Sequence, residues 1–459
     1  MNRYDSYKDS EIKWLDKIPS NWERSRIRMV GNLYGGLSGK KGDDFNREEN
    51  LSNKPFVPFT NIFNNTYISK DHFQYVNVEE GEKQNRVLKN DLFFLMSSES
   101  YEDLGKSSIL LDDVEELYLN SFCKGYRIKD NRIYPLFLNY QLLGSLHKEM
   151  ISLEGNGFTR INLRQDRLLD IPIFIPPLSE QQQIVSFLDD KTQKIDSLIQ
   201  QKEKKIVLLK EKRTSLINHV VTKGLDTNVE MKDSGVEWIG EIPSHWEFLK
   251  IGFISKLLTG NPWKSDLFDF EEGLKILRGE NVSEGFLRWG SRTRYWKEEV
   301  EKDSKFYVQE GDIVIPMDGS KVGKNYVRIM KQDLPILLHQ RMCRVRLQDE
   351  YLSKYVEYFI GSSMFQFYIT ISKTDPMIPH ITQKNIYEFK VSIPSLEEQQ
   401  QIVEYLDKQT EEIDILIQLE QKKIDTLKEY RQSLISEVVT GKIRVCKEDN
   451  SLSLNSQIV

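Results

Sequence analysis

Basic and amide side chains in the polar stretches between apolar runs are the residues of this sequence best suited to chemistry. Arg292-Thr293-Arg294 and His339-Gln340-Arg341 each place forked or paired donors within three residues. A guanidinium fork matches the two acceptors of the guanine edge in the DNA major groove, and single cations hold phosphates. These stretches therefore favour contact with DNA. The candidate contact residues are Lys40, Lys41, Asn61, Ser98, Ser100, Lys106, Asn156, Arg160, Asn162, Asn281, Arg292, Arg294, Lys321, Lys324, His339, Gln340 and Arg341.

Motifs that would support catalysis are incomplete. Gly105-Lys106-Ser107 has the end of a phosphate-binding loop, but Ser100 stands where that loop needs its first glycine. The stretch from Gly319 to Lys324 is one residue too short for the same loop and is followed by Asn325 instead of Ser or Thr. Asn261-Pro262-Trp263 lacks the second proline of the amino-methyltransferase signature. The six histidines form no metal-ligand spacing, so we predict neither catalytic nor metal-binding residues.

Composition describes a globular protein without an excess of positive charge. The 459 residues carry 64 Lys+Arg and 70 Asp+Glu, a net charge of −6, so a DNA-binding face has to arise from segregated charge. Cys123, Cys343 and Cys446 lie far apart without a CxxC pair, which predicts reduced thiols in the cytoplasm. No run is apolar enough for a signal peptide or a membrane span, so no membrane partner is expected.

The chain contains an internal repeat. The segment KDSEIKWLDKIPSNWE at 8–23 returns as KDSGVEWIGEIPSHWE at 232–247. The segment IPPLSEQQQIVSFLDDKTQKIDSLIQ at 175–200 returns as IPSLEEQQQIVEYLDKQTEEIDILIQ at 393–418. Repeats at nearly constant offset indicate two tandem copies of one structural unit.

The second of these segments begins a long helix in each copy. Apolar residues spaced by four and three positions form an unbroken seam of 3.5-residue period, which is typical of a coiled coil. In the first copy the seam comprises Leu188, Thr192, Ile195, Ile199, Lys202, Ile206, Leu209, Arg213, Leu216 and Val220. In the second copy it comprises Leu406, Thr410, Ile413, Ile417, Glu420, Ile424, Leu427, Arg431, Leu434 and Val438.

Charge favours pairing of the two helices with each other. Residues 178–224 carry 9 Lys+Arg and 6 Asp+Glu, whereas residues 396–442 carry 6 and 11. Opposite net charges stabilise the mixed pair over either self-pair. An antiparallel pair would bring Lys202 and Glu420 into adjacent layers. The alternative is that each helix covers only the core of its own domain.

The parts between the helices have a mixed α/β pattern. Short apolar runs such as 91–96 and 311–317 are separated by Gly, Asn and Ser clusters. We therefore expect an α/β protein with two tandem mixed α/β domains and two long helices that pair as an antiparallel coiled coil, related by a pseudo-two-fold repeat. The expected boundaries are 1–174 and 225–392 for the domains, 175–224 and 393–442 for the helices, and 443–459 for a disordered tail.

The repeated motifs resemble those of a known family. KDS-x-x-x-W-x-x-x-IPS-x-W-E at 8–23 and 232–247, with IP-x-L-x-EQQQIV-x-x-LD at 175–189 and 393–407, is similar to the specificity subunit of type I restriction–modification enzymes. The resemblance covers nearly the whole chain. It implies that each domain is a target recognition domain that reads one half of a split, asymmetric DNA sequence.

The resemblance also implies partners. The helices would act as a spacer and as the docking surface for two modification (methyltransferase) subunits, with restriction and translocase subunits completing the enzyme. S-adenosylmethionine, ATP and Mg²⁺ would belong to those partners, so this chain itself would be non-catalytic and would carry no cofactor. Two alternatives remain at this stage: a fused restriction–methylation enzyme with an unrecognised active site, and a coiled-coil scaffold without a role on DNA.

Overall fold

The computed structural model describes residues 3–12, 14–46, 53–301, 303–349, 351–372 and 379–445. The chain divides into two compact units. Unit 1 contains the residues up to Lys202 together with those from Lys422 onward, and unit 2 contains Glu203–Gln421. Each of the two long helices therefore begins in one unit and ends in the other.

The first copy of the repeat contains fifteen strands and six helices in its described residues. They are β1 (Tyr7–Ile12), β2 (Leu15–Pro19), β3 (Glu23–Arg26), α1 (Ile27–Val30), β4 (Gly31–Gly35), β5 (Phe45–Asn46), β6 (Asn53–Val57), α2 (Phe59–Asn64), β7 (Gln74–Asn77), β8 (Leu92–Leu95), β9 (Ser97–Ser98), β10 (Ser107–Ile109), β11 (Tyr118–Leu119), β12 (Cys123–Ile128), α3 (Pro135–Leu143), α4 (Ser145–Leu153), β13 (Gly155–Asn156), β14 (Ile161–Leu163), α5 (Gln165–Asp170), β15 (Pro172–Ile175) and α6 (Leu178–Lys223).

The second copy follows the same order with fewer strands. Its elements are β16 (Met231–Asp233), β17 (Glu241–Pro243), β18 (Glu247–Lys250), α7 (Ile251–Ile254), β19 (Ser255–Thr259), β20 (Phe268–Asp269), β21 (Leu274–Leu277), β22 (Tyr295–Trp296), β23 (Ile313–Pro316), β24 (Val327–Arg328), β25 (Ile336–Leu338), β26 (Met342–Leu347), α8 (Ser353–Ile360), α9 (Ser363–Ser372), α10 (Gln383–Glu388), β27 (Lys390–Ile393) and α11 (Leu396–Val439).

Two four-stranded sheets form the core of unit 1. The first has the antiparallel order β10-β8-β12-β4, and the second has the order β11-β6-β7-β5 with β11 parallel to β6. All four side chains of β8 are buried. A strand covered on both faces needs apolar residues at every position, which explains the unbroken run Leu92-Phe93-Phe94-Leu95.

Unit 2 repeats this topology strand for strand. Its sheets have the orders β24-β23-β26-β19 and β25-β21-β22-β20, and β25 is again parallel to β21. The central strand β23 is buried at all four positions, as β8 is in unit 1. The tandem mixed α/β architecture expected from the sequence is therefore confirmed.

The motif at the start of each domain and the motif at the start of each long helix recur together because their side chains bind each other. Within unit 1, the Nε1 of the fully buried Trp22 donates to Glu180 Oε1 at 3.0 Å. The next helix residue, Gln181, is buried and donates to Pro176 O at 2.8 Å. Unit 2 repeats the first bond, with Trp246 Nε1 donating to a carboxylate oxygen of Glu398 at 3.0 Å. Buried polar groups need these partners, so both ends of each bond recur in both copies.

In unit 1, the start of α6 packs against the end of α11. Arg431 Nε lies 2.9 Å from a carboxylate oxygen of Asp196. Gly441, just past the end of α11, has φ +73° and lies against Trp22, the residue that binds the first turn of α6. A helix end next to a helix start makes the pair antiparallel. The apolar seam side chains of this part are buried, Leu427 to 1% exposure.

Unit 2 contains the other halves of the same two helices. Arg213 Nε lies 3.1 Å from Asp414, and Lys205 Nζ lies 2.9 Å from Glu420 Oε1. The sequence predicts that Lys202 and Glu420 lie in adjacent layers, and within unit 2 Glu420 forms an ion pair with Lys205. The Glu420 side chain is almost wholly buried, so this charge needs such a partner.

Tyrosines anchor the first part of each long helix to other elements of the same unit. In unit 1, the Tyr140 hydroxyl donates to Asp189 Oδ1 at 2.6 Å, and the Tyr67 hydroxyl donates to the same atom at 2.5 Å. In unit 2, the Tyr358 hydroxyl donates to Asp407. A hydrogen bond from a hydroxyl group to a carboxylate is charge-assisted and therefore strong. These bonds fix the orientation of each helix on its own unit.

Three further expectations concern the thiols, the tail and membranes. Cys123 and Cys343 are buried free thiols, and Cys446 lies outside the described residues. The tail predicted for 443–459 lies outside them from residue 446 onward. In the described part of the chain, no helix combines the length and the apolar character that a membrane crossing needs.

Glu180→Ala is expected to destabilise the protein by about 1–3 kcal/mol, because the buried Trp22 N–H then loses its acceptor. Denaturant unfolding at neutral pH measures the change. Gln182→Ala, two residues along on the exposed face of the same helix, is the control and should leave the midpoint unchanged. Equal midpoints for the two variants would show that the motif bond contributes nothing.

Candidate nucleic-acid interface

A small sheet gathers several of the predicted DNA-contact residues in unit 1. β14 pairs with β9 through Asn162↔Ser97 and Ile161↔Ser98, and with β13 through Asn156↔Asn162. The exposed amides of Asn156 and Asn162 therefore stand on neighbouring strands. Residues far apart in sequence thus form one polar surface, as the predicted loop chemistry requires.

Arg160 and three aromatic side chains extend this surface. Arg160 Nε donates to Ser97 Oγ at 2.5 Å, and its guanidinium lies 5.8 Å from the ring centroid of Phe122. Phe122 and Tyr101 are exposed, and Phe158 is fully exposed. Exposed rings beside a cation are typical of surfaces that bind bases. Sequence reasoning missed these aromatics, because a phenylalanine in a loop predicts burial as readily as contact.

Other predicted residues of the first copy lie elsewhere or are engaged internally. Asn61 is buried and binds both the N–H and the C=O of Ser69. Lys40 forms a 2.6 Å ion pair with Glu82. Lys106 lies over the ring of Phe63, Ser100 donates to Asp103, and Lys41 is exposed.

In unit 2 a cleft of about 590 Å³ gathers four of the predicted residues. Lys321, His339, Gln340 and Arg341 line it together. The cleft also contains residues that sequence reasoning missed, namely Arg278, Arg288, Asp318 and Asn325. Arg278 and Arg288 lie on either side of the predicted contact residue Asn281, and their positive charge was the one available signal.

Arg341 is held in an unusual backbone conformation at this cleft. Its φ is +60°, in a region that non-glycine residues rarely occupy. Residues with such backbone conformations cluster at functional sites. Arg341 Nη1 lies 2.9 Å from Asp318 Oδ2, while about 69% of the arginine side chain remains exposed. The carboxylate thus orients the guanidinium and leaves most of its donors free for a ligand.

Burial changes the electrostatics deeper in the cleft. It lowers the pKa of His339, so this imidazole is neutral at pH 7 and presents one donor and one acceptor. Burial also lowers the pKa of Arg278, whose guanidinium pairs with Glu280 and donates to Arg292 O at 3.0 Å. Arg278 Nε has no hydrogen-bond partner.

The remaining predicted residues of the second copy do not line this cleft. Asn281 is fully buried, and its amide accepts from Arg278 N and donates to Arg288 O, as Asn61 does in its own turn. Arg294 stacks over the ring of Phe270 at 4.2 Å, and Arg292 is exposed beside it. Lys324 lines a separate hollow.

The two units present different residues at the same structural position. Asn120 N donates to Val57 O at the end of β6, and His339 N donates to Leu277 O at the end of β21. The turn 120–122 therefore corresponds to the turn 339–341, and Phe122 corresponds to Arg341. Among the described residues, no three His, Cys, Asp or Glu side chains gather in a way that would hold a metal ion.

Comparison with known proteins agrees with this geometry. The family described as "Type I restriction modification DNA specificity domain" matches residues 19–208 and again residues 243–429. The MjaVIII specificity subunit of Methanocaldococcus jannaschii is 27% identical, and the alignment covers 96% of this chain and 97% of that protein. The EcoKI specificity subunit of Escherichia coli is 24% identical, with 93% and 90% covered.

Solved structures show the same fold. One chain, from a study of complex assembly and conformational transition of the type I R-M system, has a TM-score of 0.69 at 16% identity and covers 93% of this chain and 100% of its own. The HsdS subunit from Thermoanaerobacter tengcongensis has a TM-score of 0.51 at 16% identity, with 93% and 98% covered. The chain therefore belongs to the type I restriction–modification DNA specificity family, whose members are DNA-recognition components and not catalytic subunits of the enzyme.

Proposed function

We propose that this chain reads a split, asymmetric DNA target, with one half-site bound by each copy of the repeat. The observation that carries the proposal is that the two four-stranded sheets have the same strand order in both units, while the corresponding turns 120–122 and 339–341 carry different side chains. A shared scaffold with divergent loops suits two readers of different sequences. A scaffold without a role on DNA would gain nothing from that divergence.

The proposed domain boundaries follow this division of labour. Residues 1–174 and 225–392 form the two target recognition domains, and the helical segments 175–224 and 393–442 set their separation. The full-length relatives are specificity subunits and not fused nucleases or methyltransferases, which supports this reading over a fused restriction–methylation enzyme. The protein acts in the cytoplasm, where its DNA is.

The partners are two modification subunits, together with restriction and translocase subunits. The outer face of α11 in unit 2 supports docking on the helices, because Ile415, Leu416 and Leu419 are exposed there although they lie off the seam. Val207 and Leu208 of α6 are exposed as well. Apolar residues at outward positions of a helix pair favour a further protein chain as their cover. S-adenosylmethionine, ATP and Mg²⁺ are bound by those partners.

The test is assembly followed by methylation mapping. The full chain is co-expressed with a type I modification subunit from the same genome, purified as a complex and incubated with DNA and S-adenosylmethionine. We expect a stable complex that methylates one bipartite sequence with a fixed spacer. A chain that purifies alone, or methylation without sequence preference, would contradict the proposal.

Arginine substitutions in the second domain are expected to affect one half-site only. Arg292→Ala, Arg294→Ala and Arg341→Ala should each leave the first half-site unchanged. A true guanine contact should cost roughly 1–3 kcal/mol and relax one base position. Binding of duplexes that vary at each position measures this, and a lysine that contacts phosphate should instead weaken all sequences alike. Full binding and an unchanged methylation site in all three variants would remove these arginines from the interface.

A further inference from the structure

The cleft in unit 2 contains a hydrogen-bond acceptor without a partner, although several cations line the same cleft. Asn325 is 8% exposed, and its side-chain Oδ1 has no hydrogen-bond partner. Lys321, Arg288 and Arg341 line the same cleft. An acceptor that is nearly buried and unpaired costs free energy, so it favours a ligand that brings a donor into the cleft.

The cations of the cleft need a ligand with hydrogen-bond acceptors. Arg341 and Arg278 are each neutralised in part by a carboxylate, Asp318 and Glu280, while Lys321 and Arg288 have no such partner among the described ion pairs. The site therefore requires a ligand with acceptors for the guanidinium groups and one donor for Asn325. A phosphate has acceptors only, so it would leave Asn325 Oδ1 unpaired.

A G·C base pair presents that combination along its major-groove edge. Guanine offers N7 and O6 as neighbouring acceptors that match one guanidinium fork, and the N4 amino group of cytosine is a donor. In an A·T pair the N6 donor of adenine separates the N7 and O4 acceptors. We propose that the cleft of unit 2 reads one G·C pair, with Arg341 donating to guanine and Asn325 Oδ1 accepting from cytosine N4. This inference rests on the proposed function, because it assumes that the cleft faces DNA.

Asp318 acts as the positioning residue for Arg341. The 2.9 Å ion pair and the left-handed backbone at Arg341 aim the guanidinium before DNA arrives, which reduces the entropy lost on binding. The corresponding turn in unit 1 carries Phe122, which has no donor and suits apolar contact such as a thymine methyl group. A G·C contact made by this turn is thus expected for the half-site read by unit 2 and not for the other.

The test uses the wild-type complex with its modification subunits and chemically altered duplexes. In the second half-site, 7-deazaguanine removes N7, N4-methylcytosine blocks the amino donor, and hypoxanthine in place of guanine keeps the major-groove edge. We expect the first two to weaken binding by about 5- to 150-fold at one G·C pair and hypoxanthine to change it by less than about twofold. The same replacements in the first half-site provide the internal control, because their effect should be the same for the wild type and for Arg341→Ala.

Two variants assign the contacts. Arg341→Ala should remove the sensitivity to 7-deazaguanine, and Asn325→Leu should remove the sensitivity to N4-methylcytosine. The exposed Lys331→Ala and Asn228→Leu are matched controls that keep both sensitivities. Equal weakening of all sequences by Arg341→Ala, with a smaller salt dependence, would identify a phosphate site and overturn the inference.

The outcome is separable from that of the proposed function. Methylation of a bipartite sequence that is insensitive to both analogues at every G·C pair would overturn only the G·C inference. Absence of any bipartite methylation would overturn the proposed function itself.

Discussion

Leu427→Asp is expected to destabilise unit 1 by about 3–5 kcal/mol and to abolish methylation of the bipartite site. Leu427 is 1% exposed in the seam between α6 and α11, and the substitution exchanges a buried aliphatic side chain for a carboxylate. The loss combines the removed apolar contacts with the cost of a charge that has no partner. Thermal melting of the purified chain and methylation mapping with the modification subunits measure the two effects.

The same helix provides a matched control for the melting experiment, although not for methylation, because Leu419 lies on the proposed docking face. Leu419 lies eight residues earlier on α11 and is half exposed, so Leu419→Asp introduces the same charge without entering the seam. Its free energy of unfolding should lie within about 0.5 kcal/mol of the wild-type value. If Leu427→Asp melted like Leu419→Asp, the seam would contribute no stability and the coiled coil would have to be abandoned.

The helices were predictable because side chains buried along one face of a helix recur at a regular spacing in the sequence. Leu188, Ile195, Ile206 and Leu434 are all buried in the positions that the 3.5-residue spacing predicted. The repeated tryptophan and EQQQ motifs were visible as repeats, but their reason was not. That reason is a hydrogen bond across about 158 residues, from Trp22 to Glu180, which no local pattern encodes.

The DNA-binding surface was only partly predictable, because residue type does not distinguish a polar group that binds its own backbone from one that binds a ligand. Asn61 and Asn281 recur in both copies because each fastens a turn from within, and not because both contact DNA. Arg160 and Asn162 were placed together by pairing of β9 with β14. Phe122 gave no signal of exposure. In the sequence, Asn325 is only the residue that stands where a phosphate-binding loop has Ser or Thr.

A fragment of residues 1–228 keeps one recognition domain and the whole of α6, so a second copy of α6 can take the place of α11. The repeat offset of 218 places Arg213 where unit 1 has Arg431, and Arg213 can then form the ion pair with Asp196 of the other copy. Leu209 takes the place of Leu427 in the same way. Lys202 takes the place of Glu420, so Lys205 meets another lysine instead of a carboxylate.

The fragment is therefore expected to form a homodimer that is weaker than the native pairing and that tightens with added salt, since salt screens the lysine repulsion. Two-fold symmetry would present two identical readers, and the preferred site should become an inverted repeat of the first half-site. Sedimentation at several salt concentrations measures the association.

Lys202→Glu in one of two co-expressed fragments should restore part of the affinity by giving Lys205 an acidic partner, whereas Lys204→Glu, at an exposed position, should restore less. A fragment that stays monomeric at high concentration and high salt would show that the two copies of the helix are not interchangeable.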